Sequence, residues 1–205
     1  RITRKEPAKL KNTMKTLGAT LLLLVSIAAL DVAYLRYYRA AYPIEYSQTV
    51  TRASEATGVS TELIYAVIRT ESGFQPQARS TMGALGLMQM TPDTLSWVRY
   101  RMGEQGATDS QLLFDPEQNI WYGTHTLELL IREFGSVETA LAAYHAGWGN
   151  VKKWLGDPDC SSDGKQLEMI PFYDTDRYVC KVLSTAEMYK RVYHDLSNIK
   201  EETKP

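Results

Sequence analysis

The stretch 71–90, ESGFQPQARSTMGALGLMQM, is the most informative part of the chain. Glu71 comes at the end of an apolar helical run and continues its stripe, because apolar residues lie three, four, seven and eight positions before it. Gly73 ends that helix, and a turn with two glycines, Gly83 and Gly86, follows. The segment therefore predicts a helix that carries one carboxyl group on its buried face, followed by a tight turn.

Helix start and stop signals continue from this segment through most of the chain. Ser60, Thr91, Asp115 and Ser136 are good N-caps, and proline follows two of them at the first helical position. No long run alternates with period two, so no sizeable sheet is expected. The sequence predicts an all-α fold, with a single domain of short helices over 43–194. The predicted helices are 43–58, 61–71, 92–102, 116–134, one starting at 137, 150–155 and 175–194, with a loop at 156–171.

The first 42 residues differ in composition from the rest. Residues 1–16 form a basic tail, and 17–35 are apolar apart from Asp31. A helix of this length spans roughly 28 Å, close to a bilayer core of about 30 Å. Basic residues on the N-terminal side predict a single-pass anchor in the cell membrane, with the tail in the cytoplasm and the domain on the extracytoplasmic side. The alternative is a cleaved signal peptide and a secreted domain.

The charge of the remaining chain excludes one class of partner. The whole chain has a net charge of −1, but the part from residue 36 onward contains 17 Lys or Arg against 22 Asp or Glu. Binding of nucleic acid requires a basic face, so no nucleic-acid partner is predicted. The three histidines are far apart in a sequence without a metal-binding motif, so neither a metal nor another cofactor is expected. A polar C-terminal tail is predicted at 195–205.

The chain contains two cysteines, Cys160 and Cys180. Outside the cytoplasm such a pair can form a disulfide, which would close a loop of about 20 residues and contribute up to roughly 3 kcal/mol. The sequence predicts this disulfide, with two free thiols as the alternative.

Glu71 is the candidate catalytic residue. A carboxyl group on a buried stripe without a nearby base loses solvation, which raises its pKa. A raised pKa suits a general acid that works near neutral pH. The alternative is a glutamate that is exposed at a frayed helix end.

Several polar and aromatic residues are candidates for contact with a ligand. Gln89 has the only side-chain amide in the glycine turn and can hydrogen-bond a sugar, whereas its neighbour Met88 is equally consistent with the core. The segment with Tyr144 and His145 mixes small and aromatic residues, which suits either a sugar-binding wall or a corner between helices. Tyr178, near the start of the last helix, can reach a buried carboxyl group or fill the core.

Five short segments, taken in order, carry a family pattern over about 43–194. They are Glu71-Ser72-Gly73, Gly83-Ala84-x-Gly86-Leu87-Met88-Gln89-Met90, Asp115-Pro116-Glu117-Gln118-Asn119-Ile120, Ala142-Ala143-Tyr144-x-Ala146-Gly147, and Tyr178-Val179 after Asp174-Thr175. Together they resemble the soluble lytic transglycosylase domain, a relative of goose-type lysozyme. The resemblance implies a lysozyme-like fold and peptidoglycan glycan strands as the partner. It also implies cleavage of the β-1,4 bond between N-acetylmuramic acid and N-acetylglucosamine.

The resemblance implies that Glu71 alone performs both proton steps. It would protonate the glycosidic oxygen and then take the proton of the muramic C6 hydroxyl as that oxygen attacks C1, which leaves a 1,6-anhydro end. Ser72 and Tyr178 would orient Glu71 or the substrate, and Gln89 would contact the glycan. Further substrate-contact candidates are Met88, Tyr144 and His145.

Two positions depart from the family pattern. His145 stands where asparagine is usual, which changes the hydrogen-bonding groups offered to a glycan and can add a pH dependence. Asp174 stands where a glutamate usually precedes the threonine. One alternative function is a hydrolytic lysozyme (muramidase) on the same fold. Another is a catalytically silent module that binds glycan or acts as a scaffold in an envelope complex, whose proteins the sequence does not identify.

Overall fold

The computed structural model describes residues 6–106 and 108–193, with side chains from residue 13 onward. The chain divides into two compact units, Arg1–Pro43 and Ile44–Pro205. The described part is helical apart from turns, loops and two isolated β-bridges, so the predicted all-α fold class is confirmed. The first five residues of the predicted basic tail and the predicted polar tail at 195–205 lie outside the described residues.

The first unit is built on one long helix, α1 (Glu6–Ala41). Its segment Thr13–Ala41 is long and apolar enough to cross a membrane, judged by length and composition. Towards its C-terminal end the rings of Tyr34 and Tyr38 lie 4.4 Å apart. The helix includes the apolar run at 17–35 and is consistent with membrane association.

The described part of the second unit contains seven α-helices and one short 3₁₀ helix, Ser110–Phe114. The α-helices are α2 (Ser47–Thr57), α3 (Thr61–Glu71), α4 (Pro92–Arg101), α5 (Pro116–Phe134), α6 (Val137–Ala146), α7 (Trp148–Leu155) and α8 (Tyr173–Val192). The expectation that the first of them opens at Pro43 is wrong. Tyr46 adopts a left-handed conformation with φ 59°, which cannot continue a helix, so α2 begins one residue later.

The predicted N-caps form as expected. The side chains of Ser60, Thr91, Asp115 and Ser136 each accept a hydrogen bond from the backbone N–H three residues ahead. Each such cap satisfies a donor that the helix leaves unpaired and stabilises the helix by about 1 kcal/mol. The starts of α3, α4, α5 and α6 are therefore specified by local sequence.

The core of the second unit is centred on α3, which packs most extensively against α8. Ile64, Val67 and Ile68 are completely buried, and Tyr65 stacks on Tyr189 of α8 with ring centroids 5.3 Å apart. Burial of each large side chain contributes roughly 1.5–3 kcal/mol. Because this packing fixes α3 against α8, Glu71, the last residue of α3, is held facing α8.

The glycine turn after α3 is attached to α5 by one buried amide. Asn119 is completely buried; its Oδ1 accepts from the Met88 N–H at 2.7 Å, and its Nδ2 donates to the carbonyls of Leu85 and Leu113 at 3.0 and 2.8 Å. Gly86 has φ 76°, and a Cβ there would lie 2.0 Å from the Leu113 carbonyl oxygen. A glycine at this position is therefore required by both conformation and space.

The structure contradicts the predicted disulfide. Cys160 and Cys180 are both free thiols, the first buried and the second exposed. Cys160 lies in the loop after α7, where its carbonyl accepts from the N–H of Glu168 at 2.8 Å. Cys180 follows Tyr178 and Val179 on α8, but the buried face of that helix turns away at this position and leaves its thiol in solvent.

Candidate active site

A cavity of about 800 Å³ opens in the second unit, and Glu71 lies in its wall. The glycine turn contributes Gln89 and Met90, and the end of α6 contributes Tyr144 and His145. Helices α4 and α5 and the start of α7 complete the lining. The packing that holds the end of α3 therefore places the Glu71 carboxyl group in an open space bounded by the glycine turn and four other helices.

Glu71 is held by one tyrosine hydroxyl and perturbed by burial. The Tyr178 hydroxyl donates to Glu71 Oε1 at 2.7 Å. Burial raises the pKa of Glu71 from its usual 4.5 to about 7, while the Tyr178 hydrogen bond and the positive charge of Lys181 act in the opposite direction. Near neutral pH both protonation states of the carboxyl group are therefore accessible, and the group can either give or take a proton.

Tyr144 lies beside Glu71 and ties α6 to the glycine turn. Its hydroxyl donates to the Met88 carbonyl oxygen at 2.7 Å, and its ring lines the cavity. Burial raises the pKa of Tyr144 and of Tyr178 well above 10, and the charge of Glu71 adds to both shifts. Both hydroxyls therefore stay protonated and act as hydrogen-bond donors.

Gln89 lines the cavity, but its amide nitrogen is already engaged. With the residue in a left-handed conformation of φ 49°, Nε2 donates to the carbonyls of Gly86 at 2.9 Å and Ala78 at 3.3 Å. These bonds stabilise the turn and leave the Gln89 side-chain oxygen as the group available to a ligand. The contact offered there is an acceptor.

Three of the predicted substrate-binding or orienting residues, Met88, Ser72 and Tyr178, are not among those that line the cavity, although Tyr178 reaches it through Glu71. The side chain of Met88 is completely buried, and its sulfur packs close to Gly123 of α5. Ser72 caps α3 and donates its hydroxyl hydrogen to the Ile68 carbonyl at 3.1 Å. The structure therefore places Met88 in the core and uses its backbone at the site, while the Ser72 hydroxyl bonds to its own helix.

His145 lies at the boundary between the cavity and a second groove of about 550 Å³, which Phe172 and Tyr173 also line. Its Nδ1 is 3.1 Å from the Thr175 hydroxyl, and its ring stacks on Tyr178 with centroids 4.5 Å apart. Burial lowers the pKa of His145, and the charge of Asp174 acts against this. His145, which departs from the family pattern, thus contacts Tyr178, the residue that hydrogen-bonds to Glu71.

The sequence motifs did not indicate the part of the cavity wall that α4 contributes. Trp97 and Arg101 of α4 line it, with the guanidinium 5.5 Å from the centre of the Trp97 ring. Trp148 and Glu133 also line the cavity, and Glu133 pairs with Lys152 at 2.6 Å. Thr94, three residues before Trp97, lines the cavity too. The spacing of Thr94, Trp97 and Arg101 places them on one face of α4, and this pattern could have indicated the wall from the sequence.

Within the described ranges, His, Cys, Asp and Glu side chains form no group of three or more that could hold a metal ion. Besides Glu71, two other residues with carboxyl groups line the cavity, Asp93 and Glu133.

The helical fold, with Glu71 at the end of a core helix, agrees with the lysozyme-like class that the resemblance implies and that similar solved structures support. The family model described as "Transglycosylase SLT domain" matches residues 48–166. The chain belongs to this family. The predicted resemblance is therefore confirmed.

Three relatives show how far the similarity extends. The soluble lytic murein transglycosylase of Salmonella typhimurium is 34% identical over 151 residues, which are 73% of this chain and 23% of that protein. Membrane-bound lytic murein transglycosylase C of Edwardsiella ictaluri is 33% identical over 169 residues, covering 72% of this chain and 47% of that protein. A crystal structure of an inactive glutamate-to-glutamine mutant of lytic transglycosylase Slt from Pseudomonas aeruginosa superposes with a TM-score of 0.64 at 33% identity, over 75% of this chain and 25% of that one. The chain thus spans less than half the length of each relative.

Proposed function

We propose that this chain is a peptidoglycan lytic transglycosylase that cleaves the β-1,4 bond between N-acetylmuramic acid and N-acetylglucosamine without water and leaves a 1,6-anhydro end. The observation that carries the proposal is Glu71, a carboxyl group in the wall of a large cavity with a pKa of about 7. The relatives with the same domain are named as lytic murein transglycosylases, which supports peptidoglycan as the substrate.

The proposed reaction uses Glu71 twice. Its proton goes to the glycosidic oxygen as the bond from C1 to that oxygen breaks. The carboxylate then removes the proton of the C6 hydroxyl as O6 bonds to C1, so the enzyme is regenerated and no water is consumed. A pKa near the working pH suits a group that must act as acid and then as base in one turnover.

Tyr178 and Tyr144 suit supporting roles in this scheme. The hydroxyl of Tyr178 donates to Oε1, which leaves Oε2 of Glu71 for proton transfer to the sugar. The same bond stabilises the carboxylate formed after the first step. Tyr144 fixes the Met88 carbonyl and with it the turn that carries Gln89, whose side-chain oxygen we assign as an acceptor for a glycan hydroxyl or amide N–H.

A comparison of the carboxyl groups in the cavity wall tests the proposal. Usual glycosidases use two carboxyl groups, and Asp93 and Glu133 are the candidates for a second one. We expect Glu71→Gln to abolish release of soluble muropeptides while the variant still binds peptidoglycan, and we expect Asp93→Asn and Glu133→Gln to retain most turnover. Undiminished turnover in Glu71→Gln would refute the assignment. Loss in Glu133→Gln or Asp93→Asn as complete as in Glu71→Gln would favour a hydrolytic lysozyme.

We also propose that α1 anchors the protein as a single membrane-spanning helix, with the second unit on the extracytoplasmic side. The apolar helix and the membrane-bound relative support membrane association, and the basic N-terminal tail supports the proposed direction. Protease treatment of spheroplasts, in which the cytoplasmic side stays protected, should digest the second unit and spare α1. A second unit that is protected in intact spheroplasts would contradict the orientation, and a soluble product without α1 would favour the cleaved signal peptide.

A further inference from the structure

His145 connects two residues of α8 that lie on the same helical face. Its ring stacks on the Tyr178 ring at an interplanar angle of 28°, and its Nδ1 is within hydrogen-bonding distance of the Thr175 hydroxyl. Thr175 is 2% exposed and Tyr178 is 8% exposed, so both partners are fixed in the core. His145 itself is exposed towards the cavity and is therefore free of core packing on its other side.

The two contacts constrain the imidazole in different ways. The hydrogen bond to Thr175 fixes the rotation of the ring, and the stacking then covers one face of Tyr178. Tyr178 ends in the hydroxyl that donates to Glu71 at 2.7 Å. A change in the tilt of the Tyr178 ring would move this hydroxyl, because it lies at the far end of the ring from the backbone.

We propose that His145 is a positioning residue, which stacks on Tyr178 while Thr175 holds it, and so fixes the hydroxyl that orients the Glu71 carboxyl group. The inference rests on the proposed function of Glu71 as the acid and base. His145 donates or accepts no proton of the reaction in this account.

The pKa of Glu71 reports directly on this arrangement. Tyr178 and Lys181 from α8 lower that pKa, Tyr144 from α6 interacts with the Glu71 charge, and His145 itself faces Asp174. Loss of the stacking partner would loosen the Tyr178 hydrogen bond and remove part of a pKa-lowering interaction. The pKa of Glu71 therefore rises above about 7 when His145 is truncated, whereas a defect in glycan contact alone leaves it unchanged.

The test is a titration of the Glu71 carboxyl carbon by ¹³C NMR in the full chain held in detergent, with Glu71→Gln used to assign the signal. We expect His145→Ala to raise the Glu71 pKa and to lower kcat on peptidoglycan roughly two- to tenfold, the factor that corresponds to one lost aromatic pair contact. His145→Phe, which keeps a ring to stack on Tyr178, should lie closer to the wild type in both quantities. In a Tyr178→Phe background, His145→Ala should cause no further pKa shift.

His125→Ala is a matched control. His125 also packs against an aromatic ring, that of Trp121 at 4.4 Å, but it is not among the residues that line the cavity. This variant should leave both the Glu71 pKa and kcat unchanged.

Two results would overturn the positioning role. One is a His145→Ala variant with an unchanged Glu71 pKa and a raised KM alone, which would make His145 a glycan contact. The other is a further pKa shift on His145→Ala in the Tyr178→Phe background, which would show that Tyr178 does not mediate the effect. If the wild type gives no anhydro product, the proposed function fails, but the NMR titration still decides whether His145 positions Tyr178.

Discussion

Replacement of Gly86 by alanine should be strongly destabilising, and Gly83→Ala provides a control on the same turn. Both glycines have positive φ, 76° and 82°, so alanine at either position costs roughly 1–2 kcal/mol in backbone strain. A Cβ at Gly83 meets nothing within 4 Å. A Cβ at Gly86 would lie 2.0 Å from the Leu113 carbonyl oxygen and 2.2 Å from Asn119 Nδ2, two atoms that hydrogen-bond to each other.

The difference between the two variants isolates the steric effect. Forcing extra volume into a well-packed site costs about 1–3 kcal/mol. We therefore expect the free energy of unfolding to fall by about 2–5 kcal/mol in Gly86→Ala and by about 1–2 kcal/mol in Gly83→Ala. The larger loss also reflects displacement of Asn119, which holds the Met88 N–H.

Urea unfolding of the full chain in detergent, followed by tryptophan fluorescence, measures both variants. The chain contains four tryptophans, Trp97, Trp121, Trp148 and Trp154, and all lie in the second unit. The signal therefore reports unfolding of the domain that contains the cavity. Equal destabilisation of the two variants would refute the reasoning, because it would mean that the contact of Gly86 with Leu113 and Asn119 is absent.

Three further predictions concern stability and accessibility. A carboxyl group whose pKa rises from 4.5 to about 7 on folding destabilises the native state as the pH rises through that interval. In urea titrations, the free energy of unfolding of Glu71→Gln should therefore exceed that of the wild type by up to about 3 kcal/mol at pH 8 and equal it near pH 4. Asn119→Ala removes the hydrogen-bond partner of the Met88 N–H and of the Leu113 carbonyl, while the Leu85 carbonyl still accepts from the Met90 N–H at 3.0 Å. The free energy of unfolding should fall by about 2–5 kcal/mol in the same assay, whereas a loss below about 1 kcal/mol would contradict the buried network. Without reductant, a maleimide should label Cys180 alone in the native protein and also Cys160 after unfolding, as counted by mass spectrometry; no labelling of the unfolded, unreduced protein would show a disulfide.

The helices could be predicted from the sequence where local chemistry determines them. Ser60 and Asp115 cap their helices as expected, because a capping side chain and the N–H that it binds are three residues apart. The start of α2 could not be predicted in this way. The left-handed conformation of Tyr46 is unusual for a residue with a large side chain, and its sequence position gives no sign of it.

In the site, too, the features set by local sequence could be predicted and those set by distant contacts could not. Glu71 could be placed on a buried stripe from helical spacing, and burial does raise its pKa. Its contact with Tyr178 joins residues 107 positions apart and depends on the packing of α3 against α8. The directions of the side chains in the glycine turn could not be predicted from the sequence either, since Met88 points into the core while the neighbouring Gln89 lines the cavity.

The mass of the digestion products tests the central claim most directly. Peptidoglycan treated with the 205-residue chain is separated and analysed by mass spectrometry, beside the Glu71→Gln variant. We expect muropeptides that are lighter by one water than hydrolysis products, have no reducing end, and are missing from the variant digest. Products that all carry a reducing end, or anhydro products that persist in Glu71→Gln, would contradict the claim.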